Sequence, residues 1–302
     1  MSSKRRNVEV MDAESDSSSS ESEEDPELQK YVDQCVMVDF EGRCPTHTDY
    51  HGIRQLLLPL LPRAHVNWGQ LADIIIAQNQ VGSVLKQCDP EGPDADDDDD
   101  DAMDADSDKE VYGVTTVINL TERRETDAVK ELKQTLLSRC KSAGAARDVQ
   151  LKLDAALSST TEHTALLLNE RFVNIPLQIC VPLLTSLRDE IEEAAKKSMP
   201  FKFSHFVLIS KLHRPKGKGK KKDRTQAEPV WMNGEDEIFD KAAEASFEFS
   251  VAEETDTAVD GRWTDRDTLM TPYRRVLLLP AAALPPAIDE ITRAVQKLPQ
   301  LG

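Results

Sequence analysis

The chain has 302 residues, a mean hydropathy of −0.49, 30% charged residues and a formal net charge of −18. That length holds one large domain or two small ones, and the excess of acid opposes direct binding to nucleic acid. Five cysteines, odd in number, scattered and never in a C-x-x-C pair, argue against a disulfide framework or zinc ribbon and fit a reducing compartment, while the longest apolar run, Val276 to Ile288, is broken by three prolines and is too short to span a bilayer.

The acid is concentrated. Residues 12–27 hold eight acidic and no basic residues, and 89–110 hold thirteen against one lysine, so the two stretches together exceed the whole net charge. Residues 1–28 therefore form a Ser-rich acidic tail too polar to repay its ordering entropy, and 29–302 form the folded domain. The alternation of Val36, Val38 and Phe40 with Met37 and Asp39 predicts a first strand ending at Gly42. Ile53, Leu56, Leu57, Leu60 and Leu61 recur at helical spacing up to Pro62, and Leu71, Ile74 and Ile75 predict a second helix that ends before Val81. Val81–Cys88 and Tyr112–Leu120 then predict two strands of one hairpin, whose connection is the disordered insert 89–110 with its six consecutive aspartates, Asp96, Asp97, Asp98, Asp99, Asp100 and Asp101.

Beyond the hairpin, Val129, Leu132, Leu136 and Cys140 share a helical face that ends at Gly144, with Thr121 and Glu122 suited to its start. A shorter helix around Leu151–Leu157 precedes a strand-like run, Ala165–Leu168. Leu177, Cys180, Leu184, Leu187 and Ile191 mark the strongest amphipathic helix of the chain; Pro176 suits a first turn, and Pro182 implies either a kink or a helix that begins near it. Phe201–Leu212 predicts a long strand, followed by a basic loop at 214–229, a short helix at Asp236–Ala243, strands at Ser246–Val251 and Arg275–Leu279, and a closing helix from Pro286 to Leu298. Strands alternating with helices predict an α/β domain with a mixed central sheet flanked by helices.

Some residues carry chemistry worth testing. Arg214-Pro215-Lys216-Gly217-Lys218-Gly219 matches the R-x-x-G-x-G pattern with which acetyltransferases bind the pyrophosphate of acetyl-CoA, yet the polar, lysine-rich stretch that follows lacks the amphipathic helix such a site needs. The expectation is a Lys/Gly surface loop, no cofactor and no enzyme activity. Cys44, His47 and His51 have spacings a metal accepts but lack a fourth ligand, so no metal is expected. His205 and His213 are expected to pack or face solvent, and Trp231 and Trp263 are candidate partner anchors beside loops. Ser18, Ser20, Ser22 and Ser107 each have an acid three residues on, the pattern of an acid-directed kinase, so they are expected phosphorylation sites that would deepen the charge. Lys4-Arg5-Arg6 and Lys220-Lys221-Lys222 are candidate nuclear import signals.

The segment Asn169-Glu170-Arg171-Phe172-Val173-Asn174-Ile175-Pro176, continuing through Pro182-Leu183-Leu184 to Leu187-Arg188-Asp189-Glu190-Ile191, resembles the BCCIP family of eukaryotic nuclear proteins. Val38-Asp39-Phe40-Glu41, Phe206-Val207-Leu208-Ile209-Ser210-Lys211, Asn233-Gly234-Glu235-Asp236-Glu237-Ile238-Phe239 and Arg274-Arg275-Val276-Leu277-Leu278-Leu279-Pro280 fall in the family's order. The family signature rests on Glu170, Arg171, Phe172, Asn174, Pro176 and Pro182. The resemblance implies a fold similar to the GCN5-related acetyltransferases without their activity. It implies a nuclear protein that shuttles to the cytoplasm and escorts a basic ribosomal protein of the large subunit, linked to nuclear export, protein transport and ribosome biogenesis. Its alternative implication is a cell-cycle and DNA-repair scaffold that binds a cyclin-kinase inhibitor or a recombination mediator. Asp96 to Asp101 would then be the partner-binding acid, a polyanion mimic facing a basic client.

Overall fold

The computed structural model describes residues 38–78, 80–88, 110–215, 228–255 and 270–298. Eight strands build one sheet: β1 (Phe40–Arg43), β2 (Ser83–Gln87), β3 (Gly113–Asn119), β4 (His163–Arg171), β5 (Phe203–Pro215), β6 (Val230–Trp231), β7 (Ala245–Ser250) and β8 (Met270–Pro280). Their order is β1-β2-β3-β4-β5-β8-β7, with β6 paired to β5 beside that path. Every pairing is antiparallel except β4 with β5. The expected mixed α/β architecture is present.

Seven α-helices cover the sheet: α1 (Tyr50–Leu57), α2 (Trp68–Ala77), α3 (Asp127–Ser142), α4 (Arg147–Ser158), α5 (Cys180–Lys196), α6 (Asp236–Ala242) and α7 (Leu284–Gln296). Successive strand side chains point to opposite faces, so each central strand supplies two cores. Leu166, Leu168, Val207, Ile209, Val276 and Leu278 pack with α1 to α4 through residues such as Ile53, Leu71, Leu132 and Leu153. Ala165, Leu167, Phe206, Leu208, Leu277 and Leu279 pack with α5 to α7 through Leu184, Phe239 and Ile288. An ion pair pins α1's approach to the sheet: Lys86 Nζ of β2 lies 2.7 Å from Asp49 Oδ1, and both side chains are buried.

The hairpin of β2 and β3 forms as expected, with Ser83 opposite Thr115 and Leu85 opposite Gly113. Gly82, just before β2, sits at φ +106°, and a Cβ there would lie 2.2 Å from Thr116 Oγ1, so both backbone and space demand glycine. Pro182 occupies the third position of α5, where the missing N–H has no helical acceptor to lose, and a 3-10 turn at Leu177–Ile179 precedes it. Of the two alternatives for Pro182, the helix that begins near it is the one observed.

Three expectations are corrected. α3 starts at Asp127 after Thr126, whereas the amides of Thr121 and Glu122 donate to Asn119 Oδ1 at 3.0 and 2.9 Å in a turn that follows β3. β4 continues three residues past Leu168, through Asn169, Glu170 and Arg171, because β3 pairs with it to Gly113. The basic loop does not begin at Arg214: Arg214 and Pro215 are the last residues of β5, paired with Thr271 and Met270 on a β8 that starts five residues before the expected Arg275.

Candidate functional site: a filled wedge between two parallel strands

β4 and β5 run side by side for five residue pairs, from His163 with Phe203 to Leu167 with Leu208, with a register shift after the first. Beyond Leu167 they separate. The edge of β5 that β4 leaves is taken up again by β6, through Leu212 with Trp231 and His213 with Val230. The wedge between is where β4 ends in Asn169-Glu170-Arg171, and these three polar residues alternate between the two faces of the sheet.

On the face covered by α5 to α7, the Arg171 guanidinium grips the Glu235 carboxylate with both nitrogens, Nη1 to Oε1 and Nη2 to Oε2, the latter at 3.0 Å. Asn169 Nδ2 donates to Glu235 Oε1 at 2.7 Å, and Asn233 Nδ2 donates to the Asn169 carbonyl at 3.1 Å. Thr115 of β3 completes the set, its hydroxyl donating to Asn169 Oδ1 at 3.0 Å. Glu235 is the residue before α6, so the Asn233-Gly234-Glu235 turn inserts into the wedge and supplies partners that β5 no longer offers to β4. On the opposite face, the Lys211 ammonium of β5 meets the Glu170 carboxylate. Arg274 of β8 lies on that face as well, donating from Nη2 to the Pro59 carbonyl at 2.7 Å and from Nε to the Leu60 carbonyl at 3.1 Å.

Charge this deep alters proton affinity. Burial raises the Glu170 carboxyl above the ordinary glutamate value, against the pull of Lys211. Asp236, buried beside Glu235 and Glu170, is raised further by burial and by those two negative neighbours, with Ser210 opposing. Burial acts against the Arg171 cation, but Glu235 outweighs it and the guanidinium is held above its usual value. Burial brings Arg274 down to about 10, and on the other face burial, with Glu235 beside it, pushes the Cys180 thiol upward. Asn169, Glu170, Asn233, Glu235 and Asp236 are each no more than 5% exposed, so the wedge is a closed interior and not an entrance.

A second network lies along β5, β7 and β8. Arg214 Nε donates to Glu248 Oε1 at 2.6 Å and its Nη2 to Oε2 at 3.1 Å. Arg275 donates to the same carboxylate and, at 2.6 Å, to Asp240 of α6, with its guanidinium carbon 5.3 Å from the centre of the Trp231 ring. Arg214 is thus engaged within the sheet rather than presented to a phosphate, which counts against the acetyl-CoA pattern; Gly217 and Gly219 lie outside the described residues. Trp231 packs under Arg275, while Trp68 is buried in the first core. His205 Nε2 sits 3.4 Å from Glu244, and burial with the Arg274 charge lowers the affinity of His213 for a proton. Cys44 and His51 are exposed, and among the described residues no cluster of His, Cys, Asp or Glu has the makings of a metal site. No helix among the described residues is long and apolar enough to cross a membrane.

The signature residues separate into two groups. Glu170 faces Lys211 and Arg171 grips Glu235 in the wedge; Phe172, Asn174 and Pro176 belong to the segment that leaves β4, and Pro182 is the third residue of α5. Sequence reading missed the wedge itself, whose only signal was the presence of Asn, Glu and Arg directly after a run of leucines. Asp96 to Asp101, Ser18, Ser20, Ser22, Ser107, Trp263 and both lysine-rich import candidates lie outside the described residues.

Comparison with known proteins follows the same outline. The BCCIP family model matches residues 35–239. A Drosophila melanogaster protein named Protein BCCIP homolog is 43% identical over 260 residues, covering 86% of this chain and 85% of its own length. The Homo sapiens BRCA2 and CDKN1A-interacting protein is 35% identical over 265 residues, 86% of this chain and 82% of its own. Among solved structures, the crystal structure of BCP1 from Saccharomyces cerevisiae superposes with a TM-score of 0.54 at 17% identity, covering 90% of this chain and 93% of that one, which shows a shared fold.

Proposed function

The chain belongs to the BCCIP family, and from that premise we propose that it is a non-enzymatic binding protein that escorts a basic ribosomal protein of the large subunit, with the nucleus as its place of work and nuclear export and ribosome biogenesis as its setting. One observation carries this reading. The thirteen acids of 89–110 are bounded in sequence by two anchored residues, since the Cys88 amide donates to the Asp39 carbonyl at 2.7 Å and the Tyr112 amide to the Leu85 carbonyl at 2.9 Å. A dense negative charge joined to the sheet at these anchors attracts a cationic client and raises its encounter rate. Asp96 to Asp101 supply the core of that charge. Phosphate on Ser107, and on Ser18, Ser20 and Ser22 of the tail, would add to it. The absence of enzyme activity is supported by the wedge, filled by Asn233 and Glu235, and by the commitment of Arg214 to Glu248.

The test is a pull-down from nuclear extract with mass spectrometry, comparing the intact chain with one whose residues 94–108 are Gly/Ser. Enrichment of one free ribosomal protein by the intact chain, weakened by the replacement, supports the escort reading. Recovery of repair or cell-cycle proteins, unchanged by the replacement, refutes it in favour of a scaffold. That second reading is favoured by the names of the human and mouse relatives, which state interaction with BRCA2 and CDKN1A.

A further inference from the structure

Beside the residues that bound the acidic insert, the surface carries a partly exposed apolar shelf. Phe40 of β1, Tyr112 at the return of the insert and Phe172 at the exit of β4 form an edge-to-face series with ring centres 5.3 and 6.1 Å apart. All three remain partly exposed over a small buried cluster of Leu85, Ile175 and Ile179. Val173 stands next to them at the tip of the turn closed by the Ile175 amide on the Phe172 carbonyl, and it is 79% exposed. A turn tip of this kind ordinarily takes Asn, Asp, Ser or Gly, so a β-branched apolar residue there does nothing for the turn. Three aromatic edges and an exposed valine in one place are a surface awaiting contact.

What would cover it is indicated by charge. Tyr112 is two residues from the end of the insert, and Phe40 is the residue after Asp39, whose carbonyl holds Cys88 at the insert's other end. The two ends of the acidic stretch thus flank this shelf. An acidic peptide would be repelled from it, and a second copy of this chain would bring its own acids face to face with the first. We infer that the shelf of Phe40, Tyr112, Phe172 and Val173 seats an apolar side chain from a lysine- or arginine-rich segment of the client, so that the insert supplies attraction and the shelf supplies selection. This rests on the reading of the chain as a binder of basic protein and names the surface it uses.

The test uses the full chain and two fluorescent probes of equal charge, a peptide of eight lysines and two glutamines and the same peptide with both glutamines replaced by leucine, titrated by anisotropy at low and moderate salt. The expected result is that the leucine peptide binds about tenfold more tightly than its counterpart, the order that burial of one such side chain provides. Val173→Asn, a residue that turns accept, reduces the preference to about twofold or less; Val173→Leu preserves or widens it. Equal binding of the two peptides by the unaltered chain, or a preference untouched by Val173→Asn, overturns the shelf while leaving the attraction of basic clients in place. Failure of both peptides to bind at low salt overturns the shelf together with the reading beneath it.

Discussion

Replacing Glu235 by Ala should be among the most damaging single changes available to this protein. Its carboxylate is fully buried, accepts two hydrogen bonds from Arg171 and one from Asn169, and closes the wedge where β4 and β5 part. Removing it leaves a guanidinium that is 8% exposed with its main counter-charge gone, and breaking a buried pair from one side costs about 3–5 kcal/mol. Against a whole-domain stability of about 5–15 kcal/mol, that is a large fraction. At about 2–4 °C for each kcal/mol in a domain of this size, the thermal midpoint falls by about 6–20 °C. Urea and thermal unfolding followed by circular dichroism measure it directly. A double change, Arg171→Met with Glu235→Leu, removes both charges while keeping volume, and should recover most of the loss because the desolvation of the pair disappears with it. The reasoning fails if Glu235→Ala costs less than about 1 kcal/mol, or if the apolar pair is no more stable than Glu235→Ala alone.

Asp236 gives a prediction with a sign. Its proton affinity is raised in the fold, so between the ordinary aspartate value and the raised one the folded chain holds a proton that the unfolded chain releases, and stability falls as pH climbs through that interval. Asp236→Asn, which keeps the shape and cannot ionise, should therefore equal or exceed the unaltered chain in stability at pH 7.5 and flatten the decline above pH 4, as read from urea midpoints across a pH series; a variant that is less stable at every pH, with the slope retained, contradicts this. Gly82→Ala should cost about 2 kcal/mol or more, since the φ of +106° and the 2.2 Å approach to Thr116 Oγ1 act together. A chemical-denaturation midpoint shifted by less than about 0.5 kcal/mol in equivalent stability would show that the turn relaxes freely.

How far the residues alone revealed the structure depends on what held each element in place. Where apolar side chains did the work, as in Leu132, Leu136 and Cys140 of α3 or the Val/Thr/Ile run of β3, periodicity located the element. Where ion pairs and pairing partners did it, periodicity was silent. Asn169, Glu170 and Arg171 extend β4 because Thr115, Lys211 and Glu235 await them from elsewhere in the chain, a tertiary effect no local preference contains. Met270 to Arg274 join β8 by pairing with Lys211 to Pro215, although their own composition includes a proline. Arg214 belonged to a sequence pattern that pointed toward a phosphate, and only the position of Glu248 on β7 showed where its charge is spent. The wedge was hidden for the same reason: its members are far apart in the chain, as Arg171 is 64 residues from Glu235 and Thr115 is 54 from Asn169, and nothing but the sheet brings them together.

The two most highly charged connections share one property, that of joining strand ends already held in register. Gln87 and Tyr112 are fixed by the first hairpin and its neighbour β1, while Pro215 and Val230 are fixed by β8 and by β5 respectively. For a connection whose ends are held in this way, each doubling of length adds only about 0.6 kcal/mol in closure entropy. Lengthening, shortening or recharging either connection thus leaves the cores almost untouched. The number of aspartates or lysines in either interval can therefore change to suit a different client at little cost to folding.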